Sequence, residues 1–214
     1  MNTSTILKTA LAGAVALLAA CNDSTGSTRT DPGSLSFTYT GARSGSYSVT
    51  GRYEPRTSSF AKQPFAVGAR STQVGEEAAA LLSYLPVTSS TGHMLLMGLP
   101  GVTGTGTFTF DSSACGDEPT VCPFALLLFD TNPDLEEDDS QVFSFSSGTV
   151  NVTSSTGGHL RGTFSGTAET FFGDSVITVT NGTFDVPVIS PTALGLDRAA
   201  ARSTRLLNRH AKQP

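Results

Sequence analysis

The stretches Gly148-Thr149-Val150-Asn151-Val152, Leu160-Arg161-Gly162-Thr163-Phe164 and Ile177-Thr178-Val179-Thr180-Asn181-Gly182-Thr183-Phe184-Asp185-Val186 decide the fold class. Apolar side chains fall on every second residue, with Ser, Thr or charged residues between them. That period places one face of an extended strand in a core and the other in water. Gly157-Gly158 and Asn181-Gly182 predict tight turns between such strands.

The same alternation recurs outward from this region. Leu35, Phe37 and Tyr39 alternate with Ser36 and Thr38, and Tyr47, Val49 and Tyr53 follow a turn at Ala42-Arg43-Ser44-Gly45. Phe65 to Val67 and Met94 to Met97 are short apolar strands, and Arg56 to Gln63 reads as a loop. Thr105 to Asp111 and Phe143 to Phe145 alternate again. Phe124-Ala125-Leu126-Leu127-Leu128-Phe129 is apolar throughout, as in a central strand covered on both faces. Glu76 to Leu85 is rich in Ala and Leu and starts with acidic residues, which suits a short helix; a strand over Leu81 to Val87 competes with it. Strands every eight to twelve residues predict an all-β, antiparallel β-sandwich, with a β-barrel as the alternative. At most one short helix is expected in the body, and another at the C-terminus.

The N-terminus carries an address. Met1 to Lys8 is polar with one positive charge, Thr9 to Ala20 is nearly all apolar, and Leu18-Ala19-Ala20-Cys21 follows. The pattern resembles the signal peptide and lipobox of bacterial lipoproteins. It implies cleavage before Cys21 and lipidation of that residue. The apolar run is twelve residues, too short for a membrane span, which needs about 20. The expected organisation is a signal peptide over 1–20, a flexible tether over 21–32, a β-sandwich over 33–190 and a basic tail over 191–214. Gly148-Thr149-Val150-Asn151-Val152, Arg161-Gly162-Thr163-Phe164-Ser165-Gly166 and Ile177 to Val186 also resemble the closing strands of uncharacterised bacterial lipoproteins. That resemblance covers about forty residues, implies a β-sandwich in the cell envelope, and implies no activity.

Cysteine parity agrees with export. Of three cysteines, lipid would consume Cys21, leaving Cys115 and Cys122 as one pair in an oxidising compartment. Six turn-like residues separate them, and a disulfide there would close a hairpin tip. The chain-entropy gain for so short a loop is about 2.5 kcal/mol.

Charge bounds the partners. Cys21 to Leu196 carries 17 acidic and 7 basic residues, whereas Asp197 to Pro214 carries 5 basic and 1 acidic. An acidic body does not suit nucleic acid, which is bound by neutralising phosphates. Tryptophan is absent, which weakens a sugar-stacking platform. Arg198, Arg202, Arg205 and Arg209 are spaced to share one face of a helix, a pattern for anionic lipid or polysaccharide, or for a solvated terminus.

Catalytic and metal patterns are sparse. The histidines are His93, His159 and His210, and no G-x-S-x-G elbow accompanies them. Asp130, Asn132, Asp134 and Glu136 place oxygen ligands at alternate positions, as at the start of a calcium loop. Leu135 and Gln141 break the EF-hand pattern, and a solvated acidic loop is the competing reading. Calcium is therefore the one cofactor to consider. The expectation is a lipid-anchored envelope protein of the outer membrane, non-enzymatic, acting as a binding or structural module for an envelope protein, glycan or small ligand. An envelope enzyme with an unrecognised site and a calcium-stabilised adhesion-type domain are the alternatives.

Overall fold

A computed structural model describes residues 31–54, 63–73, 76–102, 104–111, 123–131, 141–170 and 174–189. Ten strands form: β1 (Gly33–Gly41), β2 (Gly45–Gly51), β3 (Phe65–Gln73), β4 (Glu76–Pro86), β5 (Gly92–Pro100), β6 (Gly106–Asp111), β7 (Phe124–Thr131), β8 (Gln141–Ser154), β9 (His159–Thr170) and β10 (Val176–Ile189). Hydrogen bonds run through β10, β3, β4, β5, β7, β8 and β9 and return to β10. The fold is all-β and its circuit is closed, so of the two architectures read from the sequence the barrel describes the bonding. All pairings are antiparallel except a short parallel contact of Val188 with Gly68 and Ile189 with Ala69.

The barrel is flattened into two layers because β8 and β10 each divide one edge between two partners. Along β8, residues 141–144 pair with β7 and 147–152 pair with β6. Along β10, residues 177–185 pair with β1 and 188–189 with β3. One layer therefore runs β2-β1-β10-β9-β8-β6, and it faces β3-β4-β5-β7.

Bulges make this possible. Between Val179 and Gly182, β10 advances three residues while β9 advances two, from Gly166 to Phe164; β1 registers the same insertion. Asn181 takes a positive φ of 54° there. The Asn181-Gly182 signal thus marks a bulge inside one fourteen-residue strand, not the predicted turn. The extra residue inverts the alternation, so Ile177 and Val179 before it and Phe184 and Val186 after it all point inward. In β8 a shift between Phe145 and Ser147 likewise keeps Phe143, Phe145, Val150 and Val152 inside. Gly148 follows at φ 140°, and a β-carbon there would lie 2.3 Å from the Ser165 carbonyl oxygen. Only glycine fits.

Two further expectations change. The Glu76–Leu85 segment is strand β4 and not a helix, since β3 pairs with residues 76–84 and β5 with residues 78–86. Tertiary pairing overrides the Ala and Leu preference. Nor do the residues flanking Cys115 and Cys122 form a hairpin. Phe110 opposes Gly148 and Leu126 opposes Ser144, so β6 and β7 run in one direction, end to end along β8. Both cysteines lie outside the described residues, as do Cys21 and the tail whose helix was expected.

Aromatic rings link the layers of an otherwise largely aliphatic interior. Phe37 stacks on Tyr47 at 4.8 Å and meets Phe164 edge-on at 5.7 Å. Tyr39 reaches across to Phe129 at 5.1 Å, and Phe129 meets Phe143 at 5.7 Å. Such pairs contribute about 0.5–1.5 kcal/mol each beyond burial. A polar link crosses this interior. The Tyr47 hydroxyl of β2 bonds the Ser83 hydroxyl of β4 at 2.9 Å, with both residues buried. Burial holds the Tyr47 hydroxyl well above the ordinary phenol range, against the opposing effect of the Ser83 bond.

Ser83→Ala should therefore cost about 1–3 kcal/mol, because a buried phenol loses its partner. Adding Tyr47→Phe should recover part of that loss. Urea midpoints at constant m-value measure both.

Candidate functional site

Two clusters of the described residues at the barrel surface each contain a histidine, an aspartate and an arginine. The first is built by a third bulge. In the β5–β7 ladder Gly92 opposes Thr131 but Met94 opposes Leu128, so β7 places two residues against His93. One of them, Asp130, adopts φ 58°, a conformation that Asp tolerates better than most residues. Its amide donates to His93 Nδ1 at 3.1 Å. His93 Nδ1 is then an acceptor, and the ring proton sits on Nε2.

The Asp130 side chain turns to the β1–β2 loop, where Arg43 Nη2 donates to Oδ2 at 3.1 Å. The guanidinium lies over the Phe129 ring at 4.4 Å, and His93 meets the same ring edge-on at 5.0 Å. Burial lowers the His93 pKa below its ordinary value; Arg43 acts in the same direction, and Asp130 opposes it. The cluster holds a neutral imidazole and a paired carboxylate.

The second cluster follows from register. Arg161 of β9 stands directly opposite Asp185 of β10, and His159 opposite Pro187. Arg161 Nε donates to Asp185 Oδ2 at 2.8 Å. His159 Nδ1 lies 2.6 Å from Asp185 Oδ1, and its Nε2 is 3.9 Å from Asp31 Oδ2. Partial burial raises the Asp185 pKa, but the bonds from Arg161 and His159 outweigh it and leave the carboxyl below its usual range. The groups brought to His159 are carboxylates. That set makes a salt-bridged joint between β9, β10 and the start of β1; a nucleophile paired with its base is a different arrangement.

Of the four oxygen ligands considered for calcium, Asp130 is described and is paired with Arg43, while Asn132, Asp134 and Glu136 lie outside the described residues. Among the described residues no group of three or more His, Cys, Asp or Glu side chains could hold a metal. Sequence reading singled out His93 and His159 but not their partners Arg43, Arg161 and Asp185. Arg161 and Asp185 are visible in sequence only as charges in Thr-rich strands. Their meeting depends on a register that the bulge in β10 sets.

Both clusters give pH dependences of the same sign. His93 binds fewer protons folded than unfolded, so its contribution is complete above about pH 6.5 and is lost as pH falls below that. Between pH 7.5 and 5 the urea midpoint should decline less in His93→Gln than in the wild type. Asp185, depressed in the folded state, contributes above about pH 4 and loses this contribution on further acidification. Its side chain is 43 % exposed, so solvent screening limits the pair to at most about 1 kcal/mol. Asp185→Asn should cost no more than that at pH 7, and the deficit should shrink by pH 3, as read by urea titration.

No known family, curated protein or solved structure matches this chain, and its functional reading rests on its own residues.

Proposed function

We propose that this chain is a lipid-anchored protein of the bacterial cell envelope, held in the outer membrane through Cys21, and that its barrel is a non-catalytic binding or structural module. The observation that carries the reading of the barrel is its filled interior. Rings from both layers occupy the space that a ligand-enclosing barrel leaves open. Recognition then belongs to the outer surface and its loops.

The address rests on Leu18-Ala19-Ala20-Cys21. The outward positions of β1, β2, β9 and β10 are mainly Ser and Thr. Hydroxyl rows of this kind suit an envelope protein or a glycan as partner, and the acidic body does not suit nucleic acid. A disulfide between Cys115 and Cys122 would link the two ends of the connection between β6 and β7, which pair along one edge of β8.

Mass spectrometry of protein from the membrane fraction should find an acylated N-terminus at Cys21, and Cys21→Ala should accumulate as uncleaved precursor. A mature soluble chain beginning elsewhere rejects the anchor. Non-reducing peptide mapping should link Cys115 to Cys122. Reduction should cost at most about 2.5 kcal/mol and leave the barrel folded.

A further inference from the structure

The bulge in β7 joins three elements through one residue. The Asp130 amide donates to His93 Nδ1 of β5 at 3.1 Å. Its carboxylate serves the β1–β2 turn, where Oδ2 accepts from Arg43 Nη2 at 3.1 Å. The other oxygen, Oδ1, stands 3.8 Å from His93 Nδ1, too far for a hydrogen bond. Arg43 is held at this corner by that carboxylate and by the Phe129 ring, 4.4 Å from its guanidinium carbon. Two residues further on, Gly45 opens β2, a strand at the end of the hydrogen-bonded path.

This arrangement requires an unprotonated Nδ1. A proton taken up from solvent makes both ring nitrogens donors. Nδ1–H then faces the Asp130 N–H, donor against donor, and the bond between ring and amide is lost. Asp130 Oδ1 is close by, and a carboxylate bonds an imidazolium more strongly than a neutral carbonyl such as that of Gly92 does. The His93 side chain is 17 % exposed and that of Arg43 is 35 % exposed, so water can solvate a released guanidinium better than an unpaired imidazolium. Arg43 opposes protonation of His93, and by reciprocity a protonated His93 opposes the docking of Arg43 on the same ring.

We propose that this corner is an acid-operated latch: when His93 takes up a proton, the Asp130 carboxylate exchanges Arg43 for the imidazolium, and the β1–β2 turn comes free of the barrel. Among the described residues, the charges acting on the ring are Asp130 from β7 and Arg43 from the turn, and β4 presents Leu85 opposite it in register. Burial sets the direction. It lowers the proton affinity of the ring, Arg43 adds to it, and Asp130 and the Gly92 backbone oppose it. The exchange therefore belongs on the acid side of about pH 6.5, with the turn latched above that.

Nitrogen-15 NMR of the full chain, titrated from about pH 7.5 to about pH 5 across the ordinary histidine range, reads ring, amide and guanidinium together. At the upper limit Nδ1 should show the shift of an unprotonated ring nitrogen. On acidification the Asp130 amide and the Arg43 Nε–H should move with the same midpoint as the ring. The heteronuclear NOE of Arg43 Nε should fall over the same range, as a guanidinium freed from its carboxylate moves on the nanosecond scale. Arg43→Gln should raise the His93 midpoint, and Asp130→Asn should lower it. His93→Gln, whose amide oxygen can still accept from Asp130, should leave the Arg43 signals flat. An Arg43 signal that stays fixed while the wild-type ring titrates overturns the exchange, since the imidazolium has then found another acceptor. The same Arg43 titration in His93→Gln overturns it as well, and so does a barrel that unfolds before the ring titrates.

Discussion

One inserted residue in a strand inverts every side chain beyond it, and this barrel depends on that fact. A barrel strand long enough to serve two layers must bend at the corner yet keep its apolar face inward. β8 and β10 achieve both with a bulge. Without the insertion near Asn181, Phe184 and Val186 would face water while Thr183 and Asp185 faced the core. The bend also lets β10 leave β1 and meet β3, and lets β8 exchange β7 for β6. Closure of the sheet therefore follows from two extra residues more than from any single contact.

A bulge has a second effect, since it leaves a backbone amide outside the ladder. At β7 that amide is Asp130's, and His93 Nδ1 accepts its proton. The surface cluster of His93, Asp130 and Arg43 is the polar completion of a barrel corner, just as Arg161 and Asp185 complete the pairing of β9 with β10. The interior follows the opposite rule. Its crossing polar link, Tyr47 to Ser83, is internally satisfied, and aromatic and aliphatic side chains pack around it. The two histidine–aspartate–arginine clusters lie at the surface, where they fix a loop and strand ends.

This division explains what could be read from the sequence. Alternation on β1, β2, β9 and both halves of β10 was legible because their outer faces meet water and carry Ser and Thr. The parity change from Val179 to Phe184 was equally present; an Asn-Gly pair signals a turn locally, and only the neighbouring registers distinguish a turn from a bulge. β4 was ambiguous because its outward residues, Ala80 and Leu82, are themselves half-buried, which removes the polar half of the alternation. The same loss makes Phe124–Phe129 a continuous apolar run. The hairpin reading assumed that neighbouring strands in sequence pair with each other, whereas β6 and β7 share one edge of β8. The partners of His93 and His159 come from 37 and 26 residues away, distances that local pattern cannot bridge.

Closure removes most free edges but not all. Among the described residues β2 and β6 end the hydrogen-bonded path, and such path-ending strands carry backbone groups that can pair with another chain. They are the shortest strands, seven and six residues, and neither carries an apolar residue on its outward row: Ser46, Ser48 and Thr50 on one, Thr107 and Thr109 on the other. Shortness limits the number of intermolecular bonds such an edge could form, and hydroxyl groups favour water over a second sheet. Many soluble proteins guard their edges with lysine; here length and hydroxyl side chains serve that purpose. The barrel body can therefore remain strongly acidic, while the basic residues concentrate beyond its last strand.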